Sequence, residues 1–153
     1  MKYFKIQQEI LKSFEKSVDW KHIPSNWMQC IDDDAHWVTD GYVVYKIPNH
    51  FYCLSDDAII KSFTDTLISG VKGYNIIGTL TNVIRSVDKN GKKVDCREFE
   101  IYGEDKPIFV DVKLLKYFDL EYSTFKCKSR KDPVAIYEHD ELVGFAMPVY
   151  LRD

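Results

Sequence analysis

The side chains best suited to chemistry are scattered along this chain. Histidine occurs at His22, His36, His50 and His139, and cysteine at Cys30, Cys53, Cys96 and Cys127. His50 and Cys53 stand three residues apart, with Asp56 and Asp57 just beyond. Two neighbouring donors do not make a metal centre, which needs a fuller ligand set. Asp32-Asp33-Asp34 crowds three carboxylates together without the spaced oxygen ligands of a calcium loop, so it reads as a solvated turn. Glu98, Glu100, Glu104 and Asp105 are spread over a strand and its exit, and no spacing pairs one as acid with another as base. They leave a small metal-dependent hydrolase or nuclease as the minor alternative. No nucleophile elbow, phosphate-cradling glycine loop, dinucleotide fingerprint or HExxH occurs. The expectation is a protein that is not an enzyme, with no catalytic residue, no metal and no cofactor.

Composition sets the class. The 153 residues are 45% hydrophobic and 29% charged, which suits one globular domain with a full core. No apolar run reaches the roughly 18 residues of a membrane span, and the start lacks the apolar stretch of a signal peptide. The expectation is a cytoplasmic protein with reduced thiols and no membrane partner. A net charge of −3 removes any global attraction to nucleic acid but leaves room for a local basic stripe.

The elements that must position these groups read in order. Tyr3–Ile6 alternates like a short strand, and Ile6–Val18 has helical periodicity. Ile10, Leu11, Phe14 and Val18 form its apolar arc, with Lys5, Lys12, Lys16 and Glu9 opposite. A loop follows over 19–26, then a strand at Trp27–Ile31 and the Asp32–Asp34 turn. His36–Ile47 is a β-prone run interrupted by Thr39-Asp40-Gly41, where the glycine suggests a bulge or close approach. Ser55 and the acids after it suggest the cap of a helix carrying Ile59, Ile60, Phe63 and Leu67 and closed by Gly70. Tyr74–Val87 and Lys93–Tyr102 read as two strands joined at Asn90-Gly91. Then come a strand at Pro107–Val110 and a helix at Val112–Phe118. Strands follow at Ser123–Ser129 and Pro133–Tyr137, and a final strand at Leu142–Leu151 contains Pro148.

Two stretches share a script of strand, amphipathic helix and further strands. One contains Tyr3-Phe4-Lys5-Ile6, Ile10-Leu11-Lys12-Ser13-Phe14 and Gly41-Tyr42-Val43-Val44-Tyr45. The other contains Pro107-Ile108-Phe109-Val110, Leu114-Leu115-Lys116-Tyr117-Phe118 and Gly144-Phe145-Ala146-Met147. Val38-Thr39-Asp40-Gly41-Tyr42, Asp111-Val112-Lys113-Leu114-Leu115, Asp132-Pro133-Val134-Ala135-Ile136 and Ala146-Met147-Pro148-Val149-Tyr150-Leu151 resemble, in that order, motifs of the bacterial sliding clamp, the beta subunit of DNA polymerase III. The chain has length for one such domain where a clamp subunit has three, and Tyr42-Val43-Val44 departs from the family's His-Arg-Leu.

The resemblance implies an α+β, DNA-clamp-like domain of two pseudo-symmetric βαβββ halves with antiparallel sheets. The halves would be 1–48 and 107–153, with an inserted helix and hairpin in 49–106. It implies a non-enzymatic DNA-replication accessory or interaction module, in a setting such as a phage or mobile element. Lys12, Lys16, Lys113 and Lys116 would face duplex DNA, bound non-specifically by an oligomer. Thr39, Gly41, Pro133, Val134, Met147, Pro148 and Val149 would line a pocket for short hydrophobic peptide motifs of replication proteins. The alternative in that framework is a peptide- or protein-binding adaptor that keeps the fold without encircling DNA.

Overall fold

A computed structural model describes residues 1–19 and 25–150. Ten strands form one sheet: β1 Met28–Ile31, β2 Ala35–Thr39, β3 Val43–Pro48, β4 Lys61–Ser62, β5 Ile76–Lys89, β6 Lys92–Ile101, β7 Ile108–Asp111, β8 Ser123–Cys127, β9 Val134–Glu138 and β10 Glu141–Ala146. Among the described residues three α-helices accompany it: α1 Tyr3–Asp19, α2 Thr66–Lys72 and α3 Val112–Leu115. The strand order is β4-β1-β2-β3-β10-β9-β8-β5-β6-β7. Every pairing is antiparallel except the two-residue contact of β1 with β4. The molecule is therefore a mixed α+β fold, and no helix among the described residues is long and apolar enough to cross a membrane.

Alternation along the strands decides which helix covers which face. Val38, Val43, Tyr45, Ile47, Val134 and Ile136 pack with Ile6 and Ile10 of α1 and Leu115 of α3. Their neighbours Trp37, Val44, Ala135 and Tyr137 pack on the other face with Ile68 and Val71 of α2. The meanders β1–β2–β3 and β8–β9–β10 meet edge to edge where β10 pairs with β3. There Gly144 lies opposite Tyr45, and a Cβ on Gly144 would collide with the Val44 carbonyl and come within 2.8 Å of the Phe118 ring. The missing side chain lets Phe118 close over the junction.

Several elements differ from the sequence reading. Tyr3–Ile6 is not a strand, because α1 starts at Tyr3; Gln7 is buried one turn later and donates to the Tyr3 carbonyl. Ile6 is fully buried, whereas Leu11, expected in the core, is 42% exposed, and Phe14 is only half-buried. The helix expected over Ile59–Ser69 forms later. The chain first spends Lys61–Ser62 pairing with β1, leaves Ile60 80% exposed, and then forms α2 around Ile68 and Val71. Gly70 lies inside α2, and Gly73 is its C-cap. The helix expected to Phe118 is a single turn, N-capped by Asp111, whose side chain accepts from the Lys113 amide. The final strand stops at Ala146, before Met147-Pro148. The loop expected at 19–26 lies largely outside the described residues, as do Leu151 and the Val18 side chain.

The reading of turns fares better. Asn90 and Gly91 take positive φ angles of 54° and 83° between β5 and β6, the geometry a two-residue hairpin requires. This hairpin extends the sheet, joining β8 through Ile76–Gly78 and carrying β7 on its far side.

Two glycines should respond oppositely to the same change. Gly144→Ala should lower unfolding free energy in urea by about 3 kcal/mol through overpacking against Phe118. Gly70→Ala, at a helical position where a Cβ meets nothing within 4 Å, should raise it by roughly 0.5–1 kcal/mol.

Candidate functional site

The helix face is built from α1 outward. Lys5, Lys12 and Lys16 recur at spacings of seven and four, which places them in one stripe, and all three are exposed. Lys2 stands one turn before Lys5 and is exposed too. Its amide donates to the Tyr117 carbonyl at 2.9 Å, so the start of α1 is tied to the segment that follows α3. α3 adds Lys113 and Lys116 just beyond it, both exposed. The structure thus brings Lys12, Lys16, Lys113 and Lys116 onto the two helices that share one face of the sheet.

Glu9 lies in the same stripe and joins the helices. Its carboxylate accepts from Lys116 Nζ and from the Tyr117 hydroxyl, each at 2.6 Å. Burial pushes this carboxyl up, but the hydrogen bonds from Lys116 and Tyr117 and the charges of Lys116 and Lys12 outweigh it and hold it below its ordinary value. The hydrogen bond to Glu9 raises Lys116 in turn, against a smaller opposing effect of burial. Lys116 is therefore partly neutralised, while Lys12, Lys16 and Lys113 carry charge into solvent.

The expected peptide pocket has a different character. Thr39 is buried, with its hydroxyl donating to the Val43 carbonyl at 2.8 Å and accepting from the Gly41 amide. Asp40 accepts from the amides of Tyr42 and Val43, and Gly41 takes a φ of +99°. Thr39-Asp40-Gly41 is thus the β2–β3 turn, with each polar group used inside it. Pro133 and Val134 are buried, as is Val149, which packs beside Val87 and Cys96. Register does bring part of the set together. Ala146 pairs with Val43 and Val134, and the Met147 amide donates to the Tyr42 carbonyl at 2.8 Å. Met147 and Pro148 are half-buried beside exposed Tyr42, while Val149 leaves for β7 and donates to the Phe109 carbonyl.

The remaining chemistry-bearing groups are tied into structure. Asp32 accepts from Trp37 Nε1 and from the amides of Asp34 and Ala35, so it closes the turn between β1 and β2. His36 stacks on Tyr52 with ring centroids 3.6 Å apart, and Cys53 donates its amide to Gln7. Burial pushes the Cys96 and Cys127 thiols up to about 11, far from a nucleophile's range. Among the described residues no three His, Cys, Asp or Glu side chains gather as a metal-ligand set. Arg97, absent from the sequence reading, lies in a groove between β5 and β8.

No family model, curated protein or solved structure matches this chain.

The Glu9 junction has a defined pH signature. Glu9 is depressed in the folded state, so its contribution is present above its ordinary value near 4.5 and is lost as pH falls through the folded value. Lys116 is raised, so its contribution is present below 10.5 and is lost as pH rises through the folded value. Both side chains are more than a third exposed, which limits the pair to about 1 kcal/mol or less. Glu9→Gln should flatten the acid limb of the stability curve by that amount in urea titrations and leave stability at pH 6–8 only slightly lower.

Proposed function

We propose that the protein is a non-enzymatic, clamp-like interaction module whose α1–α3 face contacts the phosphates of duplex DNA. The observation that carries this reading is the lysine stripe. A chain of net charge −3 carries Lys5, Lys12 and Lys16 on α1 and Lys113 on α3, with Lys2 just before α1 and Lys116 just after α3, against Glu9, Glu15 and Asp19 on α1. Lysines in an exposed row bind phosphate oxygens as point charges and read no sequence. The meeting of two three-stranded meanders at β3 and β10, with α1 and α3 on one side, supports two pseudo-symmetric halves. The one-turn α3 and an α1 with no strand before it are departures from that plan, while α2 and the β5–β6 hairpin fall within 49–106.

Replacing Lys12, Lys16, Lys113 and Lys116 together by Glu should abolish retention on circular duplex DNA and leave the melting temperature nearly unchanged. For the unmodified protein, the logarithm of affinity should fall against that of salt with a slope of roughly −2.7 to −3.6, as three or four phosphate contacts require. Glu9→Gln should strengthen binding, because it frees Lys116. Sequence-dependent binding, or a slope near zero, would remove this reading.

The adaptor reading has one observation of its own. The Met147 amide bonds the Tyr42 carbonyl where β2 turns into β3, and Tyr42 is exposed there with the Lys89 amine over its ring. If this patch captures a partner, Tyr42→Ala and Met147→Glu should each abolish co-purification of that partner while DNA retention persists. Loss of DNA retention without loss of a partner assigns the function to the helices instead.

A further inference from the structure

Pairing between β5 and β8 runs from Ile76 to Gly78 on one strand and from Cys127 to Phe125 on the other, and then stops. In register, Thr79 would next face Thr124, and Leu80 would face Ser123. Both strands remain paired on their outer sides. Thr79 and Leu80 align with Glu100 and Phe99 of β6, and Ser123 and Thr124 with Glu138 and Tyr137 of β9. The sheet therefore splits in its interior rather than fraying at an edge. A groove of about 670 Å³ occupies the split. Leu80, Leu120 and Phe125 give it apolar walls, and backbone groups that would continue the ladder face into it.

Specific bonds hold the split open. β5 bulges between Leu80 and Ile84, and Arg97 Nη2 donates to the Thr81 carbonyl at 3.2 Å. The Thr81 hydroxyl is anchored to Glu98. Arg97 and Lys126 line the groove, with Glu121 the opposing charge. The two cations belong to opposite faces. Arg97 aligns with Val110 of the α1–α3 core, whereas the Lys126 amine lies over Tyr137, which packs on the α2 side. Arg97 Nε is buried without a hydrogen-bond partner. An extended chain sends successive side chains to opposite faces, so two consecutive carboxylates would meet one cation each.

We infer that this split is a docking groove for one extended, acidic strand of a partner protein. The strand completes the ladders of β5 and β8 and sets adjacent carboxylates against Arg97 and Lys126. Main-chain bonds supply the affinity, and the two cations select the sequence.

The test titrates the isotope-labelled full chain with two capped peptides, acetyl-Thr-Val-Glu-Glu-Val-Thr-amide and its Lys-Lys counterpart, followed by amide shifts and hydrogen exchange. The Glu-Glu peptide should shift and protect the amides of Leu80 and Ser123, and the Lys-Lys peptide should not. Arg97→Gln should weaken the Glu-Glu peptide about tenfold or more, the loss expected for one charge-assisted contact. Lys126→Glu keeps the Arg97 hold on the bulge and should abolish the preference for the Glu-Glu peptide. Three results would overturn the inference: equal binding of both peptides, no response at Leu80 and Ser123, or shifts confined to the α1–α3 lysines. A free protein of dimer mass with these amides already protected would overturn it as well, by seating a second copy in the split.

Discussion

The absence of a side chain at Gly144 governs how the molecule is assembled. β10 and β3 form the seam between the two meanders, and Phe118 lies across that seam with ring atoms 2.8 Å from where a Cβ would be. Phe118 follows α3, and Tyr117 beside it reaches Glu9 of α1. One close approach thus sets the position of α3 on the sheet and, through it, the relation of α1 to α3. The lysine face depends on the same contact, because Lys116 and Tyr117, which reach Glu9 of α1, immediately precede Phe118. Tyr45, opposite Gly144, packs beside Phe118 with centroids 5.1 Å apart, and burial pushes its hydroxyl far up. A neutral aromatic pair therefore seals the junction from water.

The local devices were legible in the sequence, because each is set by a few neighbouring residues. Asn90-Gly91 can adopt the two positive φ angles of a tight hairpin, and Asp32 has amides to accept from within its own turn. The lysine stripe of α1 follows from helical spacing alone. The same logic failed where a distant partner decided the outcome. Ile59, Ile60, Phe63 and Leu67 have helical spacing, but Lys61–Ser62 is claimed by the edge of β1. Tyr3–Ile6 alternates like a strand, yet Ile6 finds its place in the core as part of a helix.

The two candidate surfaces differ in the same way. Lys12, Lys16, Lys113 and Lys116 could be named from sequence because exposed charge on a helix needs no tertiary information. The pocket residues could be named too, but Thr39 turned out to spend its hydroxyl on a turn that Asp40 also closes. The groove had no sequence signature. It exists because β5 bulges after Leu80 while β8 runs straight, and Arg97 and Lys126 reach it from strands far apart in the chain.

The seam also fixes an order of events in biosynthesis. Tyr45 and Gly144, aligned across β3 and β10, are 99 positions apart (144 − 45 = 99). During vectorial synthesis β1, β2 and β3 emerge as a meander with one edge unpaired, and that edge waits until β10 has been made. Non-local pairing of this kind is entropically slow to form. The nascent chain therefore carries an unpaired β3 edge until those residues are added, and an open strand edge is where misassembly starts.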